Sequence, residues 1–229
     1  MLETFSFLKT YYPLYIEGAF TTVLVSLFTV FIGTFIGIMF ALMKLSKFKV
    51  VRAISSTYIE IVRGTPILVQ VFIWYFGITS VINIPDIYLG NLELSRLIPG
   101  ALALALNSGA YVAEIIRAGI LAVDKGQTEA AESLGMKKAM IMRFIIMPQA
   151  IKNILPAIGN EFVVLIKESS ILYAIGIQEL MAKTTTIQSS TFQPVAPLIV
   201  VSVIYFILTF SLSRLIGLFE RRLNKDARN

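Results

Sequence analysis

Residues 129–148 read EAAESLGMKKAMIMRFIIMP, a polar and helix-forming stretch that lies between two strongly apolar segments. Good helix formers come first, Gly135 interrupts them, and a second helical run follows. This pattern predicts two short helices with a sharp turn at Gly135. Small Ala130 and Ala131 would let another protein approach the backbone closely, and Glu129 would accept hydrogen bonds from it. The alternative is an amphipathic helix that lies on anionic lipid.

The composition of the chain places it in a membrane. Of its 229 residues, 56% are hydrophobic and only 15% are charged, which is more apolar than a soluble domain of this size. Crossing about 30 Å of hydrocarbon takes roughly 20 helical residues. Five stretches are long enough: about 15–43, 53–81, 95–118, 149–177 and 195–218. We therefore expect a single-domain, all-α membrane protein with five transmembrane helices and a polar loop over about 119–148, here called the coupling loop.

Basic residues are concentrated on one side of the predicted bundle. They follow the first stretch at Lys44, Lys47, Lys49 and Arg52, surround the coupling loop, and recur near the end at Arg214, Arg221 and Arg222. The other side has only Lys9, Arg96 and Lys183. The positive-inside rule then puts the N-terminus outside and the coupling loop and C-terminus in the cytoplasm. Because these charges lie at membrane borders without an aromatic platform between them, no nucleic-acid partner is expected.

The sequence Gly64-Thr65-Pro66 interrupts the second apolar stretch. Pro66 lacks a backbone N–H and suits the first position of a restarted helix, with Thr65 as its cap. The restarted helix would direct its positive end and free N–H groups towards the membrane midplane, where a carboxylate could bind. The alternative is a proline kink that serves only helix packing.

Further polar residues are expected at the same depth. At about 1.5 Å per residue from the cytoplasmic ends, Asn160 and Glu161 come level with the Gly64-Thr65 break, as does Asn107. Glu161 has no basic residue three or four positions away, so it would either take up a proton or bind a cation such as a substrate ammonium or guanidinium. Asn107 and Tyr111 would hydrogen-bond substrate or join helices. The predicted substrate site is Gly64, Thr65, Asn107, Tyr111, Asn160 and Glu161.

Charged residues within the apolar stretches form a second candidate group. A charge at bilayer depth costs about 2.5–3.5 kcal/mol on insertion scales, so such residues are functional candidates by default. They are Glu60 with Arg63, Glu114 with Arg117, and Lys167 with Glu168. The first two pairs are spaced to neutralise one another near the cytoplasmic border. The third would form an interhelical pair, a gate or a substrate contact.

These motifs resemble the permease subunits of type I ABC importers. The family's coupling-loop pattern is Glu-Ala-Ala, three residues, Gly, nine residues, Ile, one residue, Leu, Pro. The chain matches it with Glu129, Ala130, Ala131, Gly135, Ile145 and Pro148, and has Met147 in place of Leu. Residues 60–70, 107–117 and 168–170 resemble the subfamily that serves histidine, arginine, lysine, glutamine and glutamate. The resemblance implies a type I ABC importer permease fold and an ATPase-coupling role for the coupling-loop residues.

The resemblance also implies several partners. They are a cytoplasmic ABC ATPase dimer that binds ATP and Mg, an extracytoplasmic amino-acid-binding protein, a second permease copy or a sister permease, and membrane lipid around the bundle. Because five helices make a narrow bundle, a substrate-sized path is more easily built between two copies of this chain, or between it and a sister chain, and of these a homodimer is favoured. The chain has no Gly-x-x-x-x-Gly-Lys-[Ser/Thr] stretch, so we expect ATP to be bound by the partner and not by this chain. Because it also has no His and no Cys, we expect no metal or cofactor in it and no enzyme activity of its own.

The expected function is therefore the import of polar, preferably cationic, amino acids: arginine, lysine or histidine. A glutamine or glutamate permease is the alternative. A proton-coupled secondary transporter that uses Glu161 or Glu114 as its proton carrier would leave the coupling loop without a role. An intramembrane enzyme lacks support, because the chain has no His, no Cys and no Gly-x-Ser-x-Gly elbow.

Overall fold

The computed structural model describes residues 5–89 and 92–225, and these are almost entirely helical. The helices are α1 (Leu8–Lys44), α2 (Lys49–Gly64), α3 (Ile67–Val81), α4 (Leu94–Leu121), α5 (Lys125–Ser133), α6 (Lys138–Ile141), α7 (Met147–Glu168), α8 (Leu180–Thr191) and α9 (Ala196–Lys225). A π-helical turn, Met142–Ile146, joins α6 to α7, and a 3₁₀ segment, Ser169–Ile175, follows α7. A two-residue hairpin, β1 (Tyr88–Leu89) with β2 (Leu92–Glu93), precedes α4.

Within the described ranges, four helical segments are long and apolar enough to cross a membrane. They are Leu8–Lys44, Leu94–Leu121, Lys138–Ile175 and Ala196–Arg222. Helices α2 and α3 pass the same test only as a pair, and they are bent by 111° at the break between them. The all-α class is thus confirmed, with up to five spans. The second stretch, however, is an elbow of two helices and not one straight rod.

The bundle has two distinct ends. At the coupling end, α1 finishes at Lys44 and α4 leads into α5. At the hairpin end, the β-hairpin meets the start of α4, and Arg96 of α4 lies against Gly176, just after the 3₁₀ segment. Helices α1 and α4 run in the same direction between these ends, since Gly33 lies beside Ser108 and Gly37 beside Val112.

Helix α4 lies at the centre of the bundle and packs against α1, α2, α3 and α7. Its approach to α1 is close because glycines face it. A Cβ on Gly37 would lie 2.5 Å from the Val112 side chain, and a Cβ on Gly109 would lie 2.5 Å from that of Ile36. Small residues at such spacing let membrane helices meet backbone to backbone. Large apolar side chains of α1 and α9 point outwards, as Phe31 and Phe206 do, which suits contact with lipid.

The segment after the 3₁₀ turn differs from a simple exposed loop. Its run of Ser and Thr favours a loop or an amphipathic segment, but it forms helix α8 and buries Leu180, Thr184 and Ile187. The Thr184 hydroxyl donates to the carbonyl of Leu180, four residues earlier, and its neighbours bond in the same way. Because the helix itself satisfies these hydroxyls, α8 can pack against α1 and α9.

Candidate substrate site and coupling segment

One buried side chain, that of Gln70, spans the break between α2 and α3. Its Nε2 donates to the Val62 carbonyl at 2.7 Å, to the Thr65 carbonyl at 3.1 Å and to Thr65 Oγ1 at 2.8 Å. Gln70 therefore joins the last turn of α2 to the first turn of α3. The elbow is a bend that an amide holds in place, and not only a proline kink.

The predicted capping arrangement at the elbow is wrong. Helix α3 begins at Ile67, so Pro66 occupies the N-cap position, and no side chain caps the helix. Thr65 Oγ1 donates to the Ile61 carbonyl at 2.8 Å and receives the Gln70 amide instead. The hydroxyl is therefore committed to α2 and to Gln70, and it does not satisfy the first N–H groups of α3.

Two predicted residues of α4 face this elbow. Asn107 is buried, and its Nδ2 donates to Gln70 Oε1 at 2.9 Å. One turn further along α4, the Tyr111 ring lies under the Arg63 guanidinium, with Arg63 Cζ 5.3 Å from the ring centroid. Asn107 and Tyr111 thus join helices here, while the ring of Tyr111 stays 37% exposed. Together with Gly64 and Thr65, they form one polar cluster at the elbow.

Glu161 lies on another side of α4. It is buried on α7 and faces Ser108, whose hydroxyl makes no hydrogen bond of ordinary geometry. Because Asn107 and Ser108 are about 100° apart around α4, the helix separates Glu161 from the elbow cluster. Among the described residues, no salt bridge includes Glu161. A buried carboxylate without a cation is unfavourable, so Glu161 is expected either to take up a proton or to bind a cation.

Asn160 is exposed on α7, unlike its neighbour Glu161. Asn153 and Lys167 are exposed as well, seven residues before and after it, so the three share one stripe of the helix. The six predicted substrate residues therefore do not line a single wall of one chain. Four gather at the elbow, Glu161 faces α4 from α7, and Asn160 points away from the bundle.

The predicted ion pairs have different outcomes. Glu114 accepts from Arg117 Nε at 2.8 Å, as expected, and also from Lys44 Nζ of α1 at 3.2 Å. No salt bridge in the described part of the chain joins Glu60 to Arg63, because Arg63 stacks on Tyr111 instead. In the same ranges neither Lys167 nor Glu168 forms a salt bridge, so no interhelical pair of these two residues is present.

The coupling segment has the two short helices that the sequence predicts, α5 and α6. Asp124 Oδ1 caps α5 by accepting from the Gly126 N–H at 2.7 Å. Gly135 has a φ of +76°, the left-handed conformation that glycine adopts most readily, and it makes the turn. Pro148 lies in the first turn of α7.

The exposed surface of this segment differs in part from expectation. Glu129 and Ala130 are exposed, but Ala131 is buried and faces its own chain. Leu134, which carried no assigned role, is 83% exposed immediately before Gly135. An apolar side chain at the tip of a polar segment is the kind of group that a partner protein covers. The sequence signal for an exposed Leu134 is its position directly before Gly135, the residue that makes the turn.

Sequence reasoning also missed Glu179, a buried carboxyl group between the 3₁₀ segment and α8. Its oxygens accept from the N–H groups of Met181 and Ala182, each at 2.8 Å, and from the Tyr205 hydroxyl at 3.1 Å. Burial raises the pKa of Glu179 to about 7, although these hydrogen bonds oppose the shift. Glu179 caps α8 and ties it to α9. Nothing in the Gln-Glu-Leu sequence around it distinguishes it from an exposed loop acid.

The chain is similar to known proteins over most of its length. Residues 33–225 match the family described as "Binding-protein-dependent transport system inner membrane component". A putative glutamine transport system permease protein, GlnP, from Rickettsia bellii (strain RML369-C) is 41% identical and aligns with 91% of this chain and 92% of its own length. The arginine transport system permease protein ArtQ of Bacillus subtilis (strain 168) is 37% identical over 93% of this chain and 94% of its own. A solved structure described as an amino acid ABC transporter with histidines is 49% identical, has a TM-score of 0.86, and covers 94% of this chain and 96% of its own.

The chain therefore belongs to the family of binding-protein-dependent transport system inner membrane components, the permease subunits of ABC importers. The two relatives given above are named as permeases for glutamine and for arginine, and the solved structure is described as an amino acid ABC transporter. Family membership confirms the resemblance on which the coupling-loop interpretation rests. It also removes the reason to consider a proton-coupled secondary transporter.

Proposed function

We propose that this chain is the transmembrane subunit of an ATP-driven importer that carries polar, preferably cationic, amino acids into the cell. The observation that carries the preference is Glu161, a buried carboxyl group for which the described residues supply no cation. A guanidinium or ammonium group would neutralise it. Arginine and lysine supply such a group on the side chain as well as at the α-amino position, and histidine supplies an imidazolium when its side chain is protonated.

Glutamine is the second candidate, and the names of relatives favour it. The GlnP relative from Rickettsia bellii is named for glutamine transport, whereas ArtQ is named for arginine transport. A glutamine would offer Glu161 only its α-ammonium and would place its amide near other hydrogen-bonding groups, such as the Ser108 hydroxyl. The two candidates thus differ in whether the substrate side chain or the substrate backbone neutralises Glu161.

The polar stripe on α7 supports a paired arrangement of permease subunits. Asn153, Asn160 and Lys167 are exposed on a helix long and apolar enough to span the membrane. Contact of such groups with lipid is costly, so we assign this stripe to a face that a second copy covers or that lines the substrate path. A homodimer is the simplest pairing, because it needs no sister chain.

The coupling segment supports energy input from a separate ATPase. Exposed Glu129, Ala130 and Leu134 would fit into a cytoplasmic ATP-binding dimer, with ATP and Mg bound entirely by that partner. Closure of the ATPases would move α5 and α6 and thereby α4 and α7, to which they are joined. The coupling end is accordingly assigned to the cytoplasm, and the N-terminus and hairpin end to the outer side, where an amino-acid-binding protein would deliver substrate.

A competition experiment tests the substrate assignment. The permease would be reconstituted with its ATPase and binding protein, and ATP-dependent uptake of arginine, lysine, histidine, glutamine and glutamate would be measured in the parent and in Glu161→Gln. We expect cationic uptake in the parent and a reduction of about tenfold or more in Glu161→Gln, the effect of losing one charged hydrogen-bonded pair.

Glu60→Gln is the matched control, since Glu60 is exposed and forms no salt bridge among the described residues. Its uptake should equal that of the parent. Uptake of glutamine with little uptake of arginine, together with sensitivity to Glu161→Gln, would establish the second candidate. Uptake indifferent to Glu161→Gln for every amino acid would overturn the role of this carboxylate and move selectivity to the binding protein.

A further inference from the structure

A polar cavity lies at the hairpin end, away from the residues of the proposed substrate site. Its volume is about 280 Å³, and the described residues that line it are Tyr88, Glu93, Arg96, Leu97, Gly176, Ile177 and Gln178. The volume lies near the lower limit of about 300 Å³ for pockets that bind small molecules, so it suits one amino acid and not a peptide. One acidic and one basic side chain face it together.

Glu93 and Arg96 are fixed relative to each other. Arg96 Nε lies 3.0 Å from the Glu93 carboxylate, which also accepts from Ser95 Oγ at 2.8 Å. The hydrogen bonds from Ser95 and Arg96 hold the pKa of Glu93 below its ordinary value, so this acid stays ionised. Because these contacts use Nε, the two terminal NH₂ groups of Arg96 are donors for a further acceptor.

Gly176 sets the position of the Arg96 guanidinium. A Cβ on Gly176 would lie only 2.0 Å from Arg96 Nη1, so the guanidinium rests directly on the glycine backbone. Gly176 also has a φ of +84°, a conformation that other residues adopt at a cost. The turn after the 3₁₀ segment therefore holds Arg96 at the edge of the cavity.

Arg96 lies above the elbow cluster on one face of α4. Asn107 is eleven residues later, which is three helical turns or about 16 Å. Between them, Gly100 packs against Leu172, Ile175 and Ile177, and Ala103 belongs to the same apolar core. The polar cavity and the elbow cluster thus lie at two levels along α4, and a layer of buried apolar side chains separates them.

We propose that this cavity is a reception site for the zwitterionic head of a free α-amino acid, with its α-carboxylate on the terminal NH₂ groups of Arg96 and its α-ammonium on Glu93. Arginine side chains suit a planar carboxylate, which they can bind through two parallel hydrogen bonds. Because every α-amino acid carries this head, the site recognises α-amino acids as a class. Selection between their side chains then takes place deeper along the path. The inference rests on the proposed function, because the reception site is the first place on that import path where the permease binds the amino acid.

The absence of cysteine from the chain permits a direct test. Gln178→Cys would put a single thiol on the cavity lining of the permease. In the permease–ATPase complex in proteoliposomes, the rate of modification by a membrane-impermeant thiol reagent would be measured on this chain with and without arginine or glutamine. At ten times its Kd, a bound amino acid should slow modification about tenfold. Agmatine, which lacks the α-carboxylate of arginine, should give no protection.

Arg96→Gln should abolish this protection, and Arg96→Lys should restore part of it because the charge returns without the planar fork. Thr185→Cys, exposed on α8 outside the cavity, is the matched control, and no ligand should protect it. Protection that persists in Arg96→Gln, or that agmatine gives equally, would overturn the proposal.

Uptake in the same preparation, supplemented with the binding protein, separates the two levels of inference. ATP-dependent uptake without protection of Gln178→Cys would overturn the reception site and leave the importer function in place. Failure of the parent complex to take up any polar amino acid would overturn the proposed function itself.

Discussion

Gln70 is the residue on which the shape of the elbow depends. Its amide nitrogen holds α2 and α3 together across Pro66, and its amide oxygen receives Asn107 of α4. One side chain thus joins three helices at the place where the backbone cannot supply its regular hydrogen bonds. A residue that completes the bonding of a broken helix is unusually costly to replace, because several partners lose their hydrogen bonds at once.

We expect Gln70→Leu, which keeps the approximate volume and removes the amide, to lower the free energy of unfolding by about 1–3 kcal/mol. Thermal unfolding of the purified protein in detergent would measure it. Gln149→Leu is the control, because Gln149 is exposed and its side chain donates to the Ile145 carbonyl, four residues earlier, so its change should stay within about 0.5 kcal/mol. Equal effects of the two variants would contradict the role given to Gln70.

Glu179 makes stability depend on pH. Its pKa rises from 4.5 to about 7 on folding, so between these values the folded chain binds more protons than the unfolded one. The free energy of unfolding is therefore expected to be highest below the lower value and to fall as pH rises towards the upper one, by at most about 3 kcal/mol. Glu179→Gln should remove this slope in thermal unfolding across that range. An unchanged slope in the variant would assign the pH dependence to other groups.

At the scale of elements, the coupling segment combines a capped helix, a left-handed turn and a short second helix. Asp124 starts α5, Gly135 ends it, and the π-helical turn leads from α6 into α7 without a loop. The segment thus connects two membrane-spanning helices, α4 and α7, through helical elements and one tight turn. A movement imposed on it is passed to both.

Gly135→Ala should disturb this element specifically. A side chain in the left-handed region costs about 1–2 kcal/mol, so the turn between α5 and α6 would distort. We expect less ATPase to co-purify and ATP-dependent uptake to fall severalfold, with normal amounts of the permease in the membrane. Gly77→Ala is the control, because Gly77 lies within α3 with open space around it and a helical Ala is neutral or favourable. Normal coupling in Gly135→Ala would count against docking of this loop.

The sequence predicts those features that depend on local chemistry. The apolar stretches, the break at Pro66 and the turn at Gly135 all follow from residues close together in the chain, and each has its counterpart in the structure. Gln70 and Glu179 were not predicted because each depends in part on a distant partner, Asn107 of α4 for Gln70 and Tyr205 of α9 for Glu179. The helix over the Ser- and Thr-rich segment was equally hidden, since its stability comes from packing against α1 and α9.

The candidate site was predictable in part for the same reason. Depth counting assigns Asn107 and Glu161 to one level of the membrane, and they lie on α4 and α7, but depth does not tell which way a side chain faces around the helix axis. That direction decides that Asn107 meets Gln70 while Glu161 faces Ser108. For Arg63, a nearby aromatic ring on α4 competed with the acid in its own helix, and sequence spacing could not reveal it.

For the whole molecule, the distribution of surface chemistry argues that one copy is incomplete. Large apolar side chains of α1 and α9 suit lipid, whereas the α7 stripe of Asn153, Asn160 and Lys167 does not. The hairpin end carries the zwitterionic cavity, and the coupling end carries most of the basic residues. Each surface is therefore assigned a different neighbour: lipid, a second permease, substrate or the ATPase.

The proposed orientation can be measured with single thiols in this cysteine-free chain. In intact cells, Thr185→Cys on α8 should react with a membrane-impermeant thiol reagent. Gln127→Cys on α5 should react only after the membrane is permeabilised, because the positive-inside rule assigns α5 to the cytoplasm. Both positions are exposed, so burial does not confound the comparison. The reverse labelling pattern would show the opposite orientation and would overturn the assignment of the two ends.

Because α4 lies at the centre of the bundle, a small tilt of this helix would move its two ends in opposite directions. The helix is 28 residues long, or about 42 Å, and it passes from the Arg96 cavity through the elbow cluster towards α5, which begins at Lys125, four residues after α4 ends. A tilt of about 5° around its midpoint would displace each end by about 2 Å in opposite directions. Movement of α5 by a closing ATPase would therefore shift the apolar layer around Gly100 sideways, without any change in the length of a helix.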